Sequence, residues 1–270
     1  MERESGREEG GRTVIAIIGG SGLAKLAALE SPRRQVMRTP YGEPSGAITF
    51  GRLAGRDVVF VARHGYGHTI APHEINYRAN IWALQELKVD GVFALATVGG
   101  IRADLVPHTL VVPHQIIDYT HSRESTFFER GTKAVTHIDF TQPYAQVQRA
   151  RLLDAARLAA EPVIDGAIYA CTQGPRLETA AEIDRYERDG ADMVGMTGMP
   201  EAVLAREAGL PYASLGVVVN HAAGRGDSRT RVELSKLSDV LQQSLARAVR
   251  VLEFAVQIAA ARPDAAGRPA

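Results

Sequence analysis

Apolar residues in this chain come in short blocks, and each block stops at glycine or at a polar residue. Five of these blocks are rich in apolar and β-branched residues and are bounded by residues that favour turns. This pattern is typical of buried β-strands. The five predicted strands lie at 14–18, 58–62, 91–96, 167–172 and 213–219.

Between and after these blocks, apolar residues recur at helical spacing, which predicts amphipathic helices. We expect helices at about 76–88, 147–161, 178–188, 199–208 and 231–261. The last segment carries a start signal, because Thr230 and Glu233 have the spacing of a capping box ahead of Leu234. No repeat or low-complexity linker divides the chain, so the alternation predicts one α/β domain at 13–262. The segments 1–12 and 263–270, rich in charge, Gly, Pro and Ala, are predicted to be disordered tails.

Composition narrows the function classes without indicating any chemistry. The 270 residues include 31 Lys and Arg against 31 Asp and Glu. A net charge of zero argues against nucleic-acid binding and against a polybasic membrane surface. The single cysteine, Cys171, excludes an internal disulfide and a cage of several cysteines around a metal. Because no apolar stretch approaches about 18 residues and the N-terminus lacks a signal-peptide core, we expect a cytoplasmic protein.

Glycine and polar residues concentrate where the apolar blocks end. In open α/β sheets, ligands bind at the carboxyl ends of strands, so these ends are the candidate site. For any one of them, a plain turn is the simpler explanation. Six stretches qualify: 19–23, 63–68, 97–100, 174–179, 195–201 and 220–224.

Two of the six stretches suit an anion, and each has an ordinary alternative. Gly19 to Leu23 is either an anion-binding loop with the Ser21 hydroxyl or a turn, and it lacks the dinucleotide and P-loop spacings. Arg63 and His64 offer donors to a phosphate or carboxylate, although a solvated loop would have the same composition. A zinc site at His64 and His68 is disfavoured, because the glycines between them oppose a helix.

The other stretches add donors, acceptors and an apolar wall. Thr97 and Thr197 carry hydroxyl groups, and Met196 is either a flexible wall or a core residue. Glu178 is either an acceptor in a pocket or a first-turn helical glutamate. Asn220 is either a site amide or a turn former.

The chain shows no serine-histidine-aspartate order, no G-x-S-x-G and no H-E-x-x-H. Cys171 lies within an apolar block, which favours a buried, inert thiol. Several anion donors without a covalent nucleophile fit an enzyme whose nucleophile is a bound oxyanion such as phosphate.

Five motifs identify a family resemblance that runs from Val14 to Leu252. They are I-I-G-G-S-G-L, R-H-G, N-Y-R-A-N-I-W-A-L, T-Q-G-P-R-L-E-T and G-A-D-M-V-G-M-T-G-M-P-E. The chain resembles the trimeric nucleoside phosphorylase superfamily, in the branch of methylthioadenosine phosphorylase and purine nucleoside phosphorylase. The resemblance implies a single-domain, three-layer α/β fold with a central mixed β-sheet flanked by helices. It also implies a homotrimer that uses inorganic phosphate as co-substrate and needs no metal or organic cofactor.

The resemblance also implies roles for individual residues. Phosphate would attack C1′ of a purine nucleoside while the purine departs. Met196 would line the ribose, and His137, in V-T-H-I-D-F, would reach across the trimer interface to a neighbour's pocket. The implied phosphate-binding residues are Ser21, Arg63, His64, Ala96, Thr97 and Thr197.

Departures from the family pattern indicate the substrate. Adenine-cleaving members carry Asp-x-Asp where this chain has Asn220-His221-Ala222, and Ser where it has Glu178. An amide both donates and accepts, so Asn220 suits O6 and N7 of a 6-oxopurine. Glu178 can accept from the N1–H that adenine lacks. Near the 5′ position, Leu234 provides an apolar wall for a methylthio group.

Together these features predict S-methyl-5′-thioinosine as the substrate. The alternatives are inosine or guanosine, methylthioadenosine, and a nucleoside-binding protein without catalysis.

Overall fold

A mixed sheet of 11 strands runs through the described part of the chain. The structure is a computed structural model, and it describes residues 13–23, 26–128 and 136–261. The strands are β1 (Ile15–Gly19), β2 (Glu30–Gln35), β3 (Ile48–Leu53), β4 (Arg56–Ala62), β5 (Gly91–Gly100), β6 (Leu110–Val112), β7 (Gln115–Asp118), β8 (Val163–Asp165), β9 (Ile168–Cys171), β10 (Met193–Gly195) and β11 (Tyr212–His221). The helices are α1 (Tyr77–Glu86), α2 (Gln146–Leu158), α3 (Ala180–Arg188), α4 (Gly198–Glu207) and α5 (Leu234–Ala261).

The long strand β5 organises the sheet. It pairs in parallel with β1 and β11, and β1 pairs in parallel with β4, so the carboxyl ends of these four strands share one edge. The short strand β10 runs antiparallel to β5 and pairs with its last two residues, Gly99 and Gly100. β10 therefore begins at the carboxyl end of β5, with Met193 opposite Gly100, and runs back along that strand.

Both faces of the sheet are covered, which explains the continuous apolar blocks. Successive residues of β1 alternate between two cores: Ile15 and Ile17 face one, and Ala16 and Ile18 face the other. Helices α2 and α5 contribute to the first core, and α1 and α4 contribute to the second. The predicted three-layer α/β fold with a central mixed sheet is confirmed.

The five predicted strands correspond to β1, β4, β5, β9 and β11, and the five helices are also present. The predicted capping box of the last helix is wrong. α5 begins at Leu234, and the Glu233 carboxylate accepts hydrogen bonds from the Arg231 guanidinium. A capping box occurs instead at α3, between Thr179 and Glu182. The predicted tails lie outside the described residues.

None of the helices described is long and apolar enough to cross a membrane.

Candidate active site

One cavity brings together residues from all six polar stretches. It has a volume of about 440 Å³ and opens where β1, β4 and β11 end. Ten of the predicted site residues line it: Ser21, Arg63, His64, Ala96, Thr97, Glu178, Met196, Thr197, Asn220 and Ala222. Separate turns at each strand end would not by themselves converge on one cavity, so the structure favours a ligand site over six unrelated turns.

The parallel strands and the reversed β10 together build the cavity. β1 delivers Ser21 and β4 delivers Arg63, while Thr97 lies within β5 itself. Met196 and Thr197 directly follow β10, whose register places Val194 opposite Gly99 of β5. This pairing precedes the turn that carries Met196 and Thr197 into the cavity that Thr97 also lines.

The glycine-rich loop after β1 packs tightly against the Arg63 side chain. A Cβ atom at Gly20 would lie 2.9 Å from Arg63 Nη1 and 2.7 Å from the Leu95 carbonyl oxygen. Glycine is therefore needed at this position for the backbone to approach the guanidinium. The close approach places the Ser21 hydroxyl and the Arg63 donors at the same end of the cavity.

Arg63 is fully buried, and much of its guanidinium fork is already occupied. Its Nε donates to Glu201 Oε2 at 2.6 Å, its Nη2 to Glu201 Oε1 at 2.8 Å and its Nη1 to the Leu95 carbonyl at 3.0 Å. Burial alone would lower the pKa of Arg63, but the Glu201 carboxylate raises it above the usual value. The cation is thus fixed in place, with N–H groups on Nη1 and Nη2 left for a ligand.

Glu201 ends the motif G-M-P-E, but no sequence signal indicated its role. The Tyr212 hydroxyl also donates to Glu201 Oε1, at 2.8 Å. Both partners of Glu201 are buried, and Arg63 lies 138 residues away in the sequence. In a sequence, a buried charged residue looks the same as an exposed one until its partner is known.

His64 lines the cavity as a neutral imidazole. Burial and the adjacent Arg63 lower its pKa to about 4. Its Nδ1 lies 2.9 Å from the Ile70 carbonyl oxygen, which can only accept, so Nδ1 carries the proton and Nε2 is left as an acceptor. His64 therefore suits an anion that itself carries a proton, such as monohydrogen phosphate.

The structure does not support a metal site at His64 and His68. Their rings contact each other with centroids 4.6 Å apart. Within 13–23, 26–128 and 136–261, no group of three or more His, Cys, Asp and Glu side chains could hold a metal ion. Cys171 is buried, and burial raises the pKa of its thiol to about 12, so it is not a thiolate nucleophile at neutral pH.

Glu178 faces the cavity and is not part of a helix. The helix α3 begins two residues later, and its first-turn acid is Glu182. Glu178 Oε1 accepts a hydrogen bond of 2.6 Å from the Thr172 hydroxyl, which fixes the carboxylate. Burial raises the pKa of Glu178 above the usual carboxyl range. Of the two interpretations of Glu178, the structure favours the acceptor in a pocket.

Asn220 and Ala222 reach the cavity through an irregularity in β11. The register of β11 against β5 shifts between Val218 and Asn220, where a β-bulge inserts one extra residue. One N–H of the Asn220 amide donates to the neighbouring His221 carbonyl at 2.6 Å. Its other N–H and its oxygen remain for a ligand, and the Ala222 methyl group lies beside them in the wall.

Two predicted site residues lie outside this cavity. Leu234 is 64% exposed and lines an adjoining hollow, which also touches Glu178. The C-terminal residues that do line the main cavity are Val232 and Leu237. His137 is exposed and is not among the lining residues of its own chain's cavity.

The sequence profile described as "Phosphorylase superfamily" matches residues 14–257. The chain belongs to the phosphorylase superfamily. A probable S-methyl-5′-thioinosine phosphorylase of Pseudomonas syringae is 50% identical over 237 residues, which cover 87% of this chain and 95% of that protein. A 6-oxopurine nucleoside phosphorylase of Pyrococcus furiosus is 43% identical over 249 residues, covering 90% and 92%.

A solved structure of a related enzyme has the same fold as this chain. The methylthioadenosine phosphorylase from Schistosoma mansoni, in complex with adenine, superposes with a TM-score of 0.88 at 31% identity, covering 93% of each chain. The family resemblance seen in the motifs is thus confirmed by both sequence and fold.

Proposed function

We propose that this phosphorylase-superfamily member cleaves S-methyl-5′-thioinosine with phosphate to give hypoxanthine and 5-methylthioribose 1-phosphate. The observation that carries the proposal is the placement of Glu178 and Asn220 in one cavity with the phosphate-type donors Ser21, Arg63 and Thr197. The similarity to the Pseudomonas syringae protein supports the same substrate.

Phosphate occupies the end of the cavity formed by the predicted set Ser21, Arg63, His64, Ala96, Thr97 and Thr197. Arg63 donates through its remaining N–H groups, and His64 Nε2 accepts a hydrogen bond from the hydroxyl of monohydrogen phosphate. A phosphate oxygen forms a bond to C1′ as the C1′–N9 bond breaks, and the electron pair of that bond leaves with the purine. The phosphate loses its proton as its oxygen bonds to C1′, and the departing purine gains one proton and leaves as neutral hypoxanthine. The bound anion stabilises the positive charge that develops on the ribose, which Met196 lines.

The base end distinguishes 6-oxopurines from 6-aminopurines. The Glu178 carboxylate accepts from the N1–H of hypoxanthine, whereas N1 of adenine has no proton to offer. The Asn220 amide donates to O6 and its oxygen accepts from N7 when that atom gains a proton. Each mispaired buried polar group costs about 1–3 kcal/mol, enough to select the base.

The sugar end favours an apolar 5′ substituent. Val232 and Leu237 supply the apolar wall of the main cavity near the start of α5. We assign the contact with the methylthio group to these two residues, since Leu234 lies in the adjoining hollow.

Comparing three nucleosides tests this proposal directly. At saturating phosphate, kcat/KM is expected to be highest for S-methyl-5′-thioinosine, lower for inosine and lowest for methylthioadenosine. Release of free purine, followed in the presence and absence of phosphate, gives the rates. A tenfold preference for methylthioadenosine would contradict the roles of Glu178 and Asn220. A preference for inosine would contradict the apolar 5′ wall, and no phosphate-dependent release at all would indicate a nucleoside-binding protein.

As the pH is lowered, activity is expected to fall with the protonation of Glu178. The carboxylate is the form that accepts N1–H, and burial raises its pKa. Activity on the 6-oxopurine substrate is therefore present above this raised pKa and lost as pH falls through it. Protonation of His64 follows only at lower pH, because its pKa is about 4.

Glu178→Gln is the matched control for this profile, since it cannot titrate and is measured at the same phosphate concentrations. The variant is expected to be slower at neutral pH and to lack this fall in activity. An identical fall in wild type and variant would assign the titration to another group.

The remaining roles rest on the family resemblance. We infer a homotrimer in which His137 contacts the neighbouring subunit's pocket, and a cytoplasmic enzyme that needs no cofactor beyond phosphate as co-substrate.

A further inference from the structure

Arg123 lies directly behind the cavity wall, in the loop that follows β7. Its side chain is half-buried and is not among the residues that line the cavity. It donates hydrogen bonds to the backbone carbonyls of Thr172, Gln173, Met196 and Met199 at 2.6 to 3.1 Å, and to the Gln173 side chain and the Tyr77 hydroxyl. One guanidinium thus joins three separate parts of the chain.

Two of these carbonyls bracket Thr197. Met199 has φ −119° and ψ 139°, so the backbone is not helical at the start of α4. Arg123 Nη1 donates hydrogen bonds to the Met196 and Met199 carbonyls in this non-helical segment, at 2.9 and 2.6 Å. The turn that presents Met196 to the sugar and Thr197 to phosphate is held from behind by this side chain.

The other two carbonyls belong to the segment that carries the base-binding group. Arg123 Nη2 donates to the carbonyls of Thr172 and Gln173, at 3.1 and 2.8 Å. The Thr172 hydroxyl in turn donates to Glu178. Arg123 therefore fixes the distance between the phosphate end and the base end of the cavity.

The charge of Arg123 also distinguishes it from Arg63. Whereas Arg63 pairs with Glu201, Arg123 forms no ion pair with any residue that the structure describes. Its hydrogen-bond acceptors among the described residues are neutral oxygens, and none of them carries a charge that would offset its own. A positive charge behind the Met196–Thr197 turn favours an anion in front of that turn.

We infer that Arg123 is a positioning residue for phosphorolysis. It holds the Met196–Thr197 turn and the Thr172–Gln173 segment in the geometry that brings phosphate to C1′. The inference rests on the proposed function. Misplacing reacting groups by about 1 Å costs roughly 100-fold in rate, so removal of this guanidinium should be felt in catalysis although it touches no substrate.

Arg123→Ala and Arg123→Lys test the inference. In the alanine variant kcat/KM is expected to fall by about 100-fold, with a raised KM for phosphate and a lower kcat. Lysine restores the charge but cannot reach four carbonyls at once, so it should recover only part of the loss. Added guanidinium chloride, at millimolar concentrations below those that unfold proteins, should restore activity to the alanine variant.

Arg149→Ala is the matched control. Arg149 is buried, donates to the carbonyls of Val112 and Pro113 and pairs with Asp165, yet it lies away from the cavity. This variant should lose stability with an unchanged KM for phosphate and no response to guanidinium. Active-site titration of the folded fraction corrects the rates of every variant.

Each outcome decides the inference. Rescue of Arg123→Ala but not of Arg149→Ala, together with a raised KM for phosphate, supports it. If the alanine variant does not fold, a normal KM for phosphate in Arg123→Lys overturns it. An active wild type whose folded Arg123 variants keep their kinetic constants overturns the positioning role alone. A wild type without phosphorolysis overturns the proposed function and this inference with it.

Discussion

Replacing Glu201 by alanine is expected to destabilise the folded protein by about 3–5 kcal/mol, the usual effect of removing one partner from a buried ion pair. The carboxylate accepts two hydrogen bonds from Arg63, at 2.6 and 2.8 Å, and a third from Tyr212, at 2.8 Å. Without it, a fully buried guanidinium keeps its charge and loses its counter-charge. Urea unfolding of wild type and variant at one protein concentration measures the difference in the free energy of unfolding.

The same substitution should also raise the KM for phosphate, because Glu201 fixes the orientation of Arg63. Glu233→Ala is the control, since its pair with Arg231 is exposed and screened by water. It should leave stability nearly unchanged. The double variant Arg63→Met with Glu201→Met should regain much of the lost stability but none of the activity. If Glu201→Ala unfolds at the same urea concentration as Glu233→Ala, the buried pair is not a stability determinant.

Asn220→Asp combined with Ala222→Asp is expected to move base preference toward 6-aminopurines. The two carboxylates accept from the adenine amino group and from a protonated N7, and they leave O6 of hypoxanthine without a donor. They also raise the pKa of nearby Glu178, because like charges disfavour ionisation. At about 1–3 kcal/mol for each mispaired group, the ratio of kcat/KM for methylthioinosine to that for methylthioadenosine should fall about 100-fold.

Asn220→Ala is the control that distinguishes a loss of base binding from a change in which base is preferred. It removes the amide without adding a carboxylate, so activity on the 6-oxopurine should fall with no gain on the 6-aminopurine. Initial rates with both nucleosides at saturating phosphate give the ratio. A ratio that stays at the wild-type value in the double variant would remove Asn220 and Ala222 from base selection.

The cavity could be anticipated from sequence because its framework is apolar and periodic. The blocks that became β1, β4, β5 and β11 end at glycine or polar residues, and parallel strands bring their carboxyl ends to one edge. The short strands β6, β8 and β10 have three residues each, too few for a periodic signal. β2 is entirely exposed, so its residues carry no apolar pattern at all.

The supporting network could not be anticipated, for a different reason. Glu201 and Arg123 are charged residues whose importance depends on partners distant in the chain. Glu201 lies 138 residues from Arg63, and Arg123 lies 73 residues from Met196. The position of Leu234 also depended on where α5 begins: Leu234 is the first residue of this helix and is exposed, whereas Leu237, one turn later, lines the cavity.

The β-bulge in β11 divides this strand into a part that packs in the core and a part that lines the cavity. Before it, Leu215 and Val217 are buried in the core and keep strict register with β5. After it, Asn220 pairs with Gly99 in a register shifted by one residue, and Asn220 and Ala222 line the cavity. We therefore expect substitutions beyond the bulge to change which base the cavity accepts while the register of β11 before the bulge is kept. A fold built in this way can diversify its substrates by changes at the last few residues of one strand, while its scaffold stays constant.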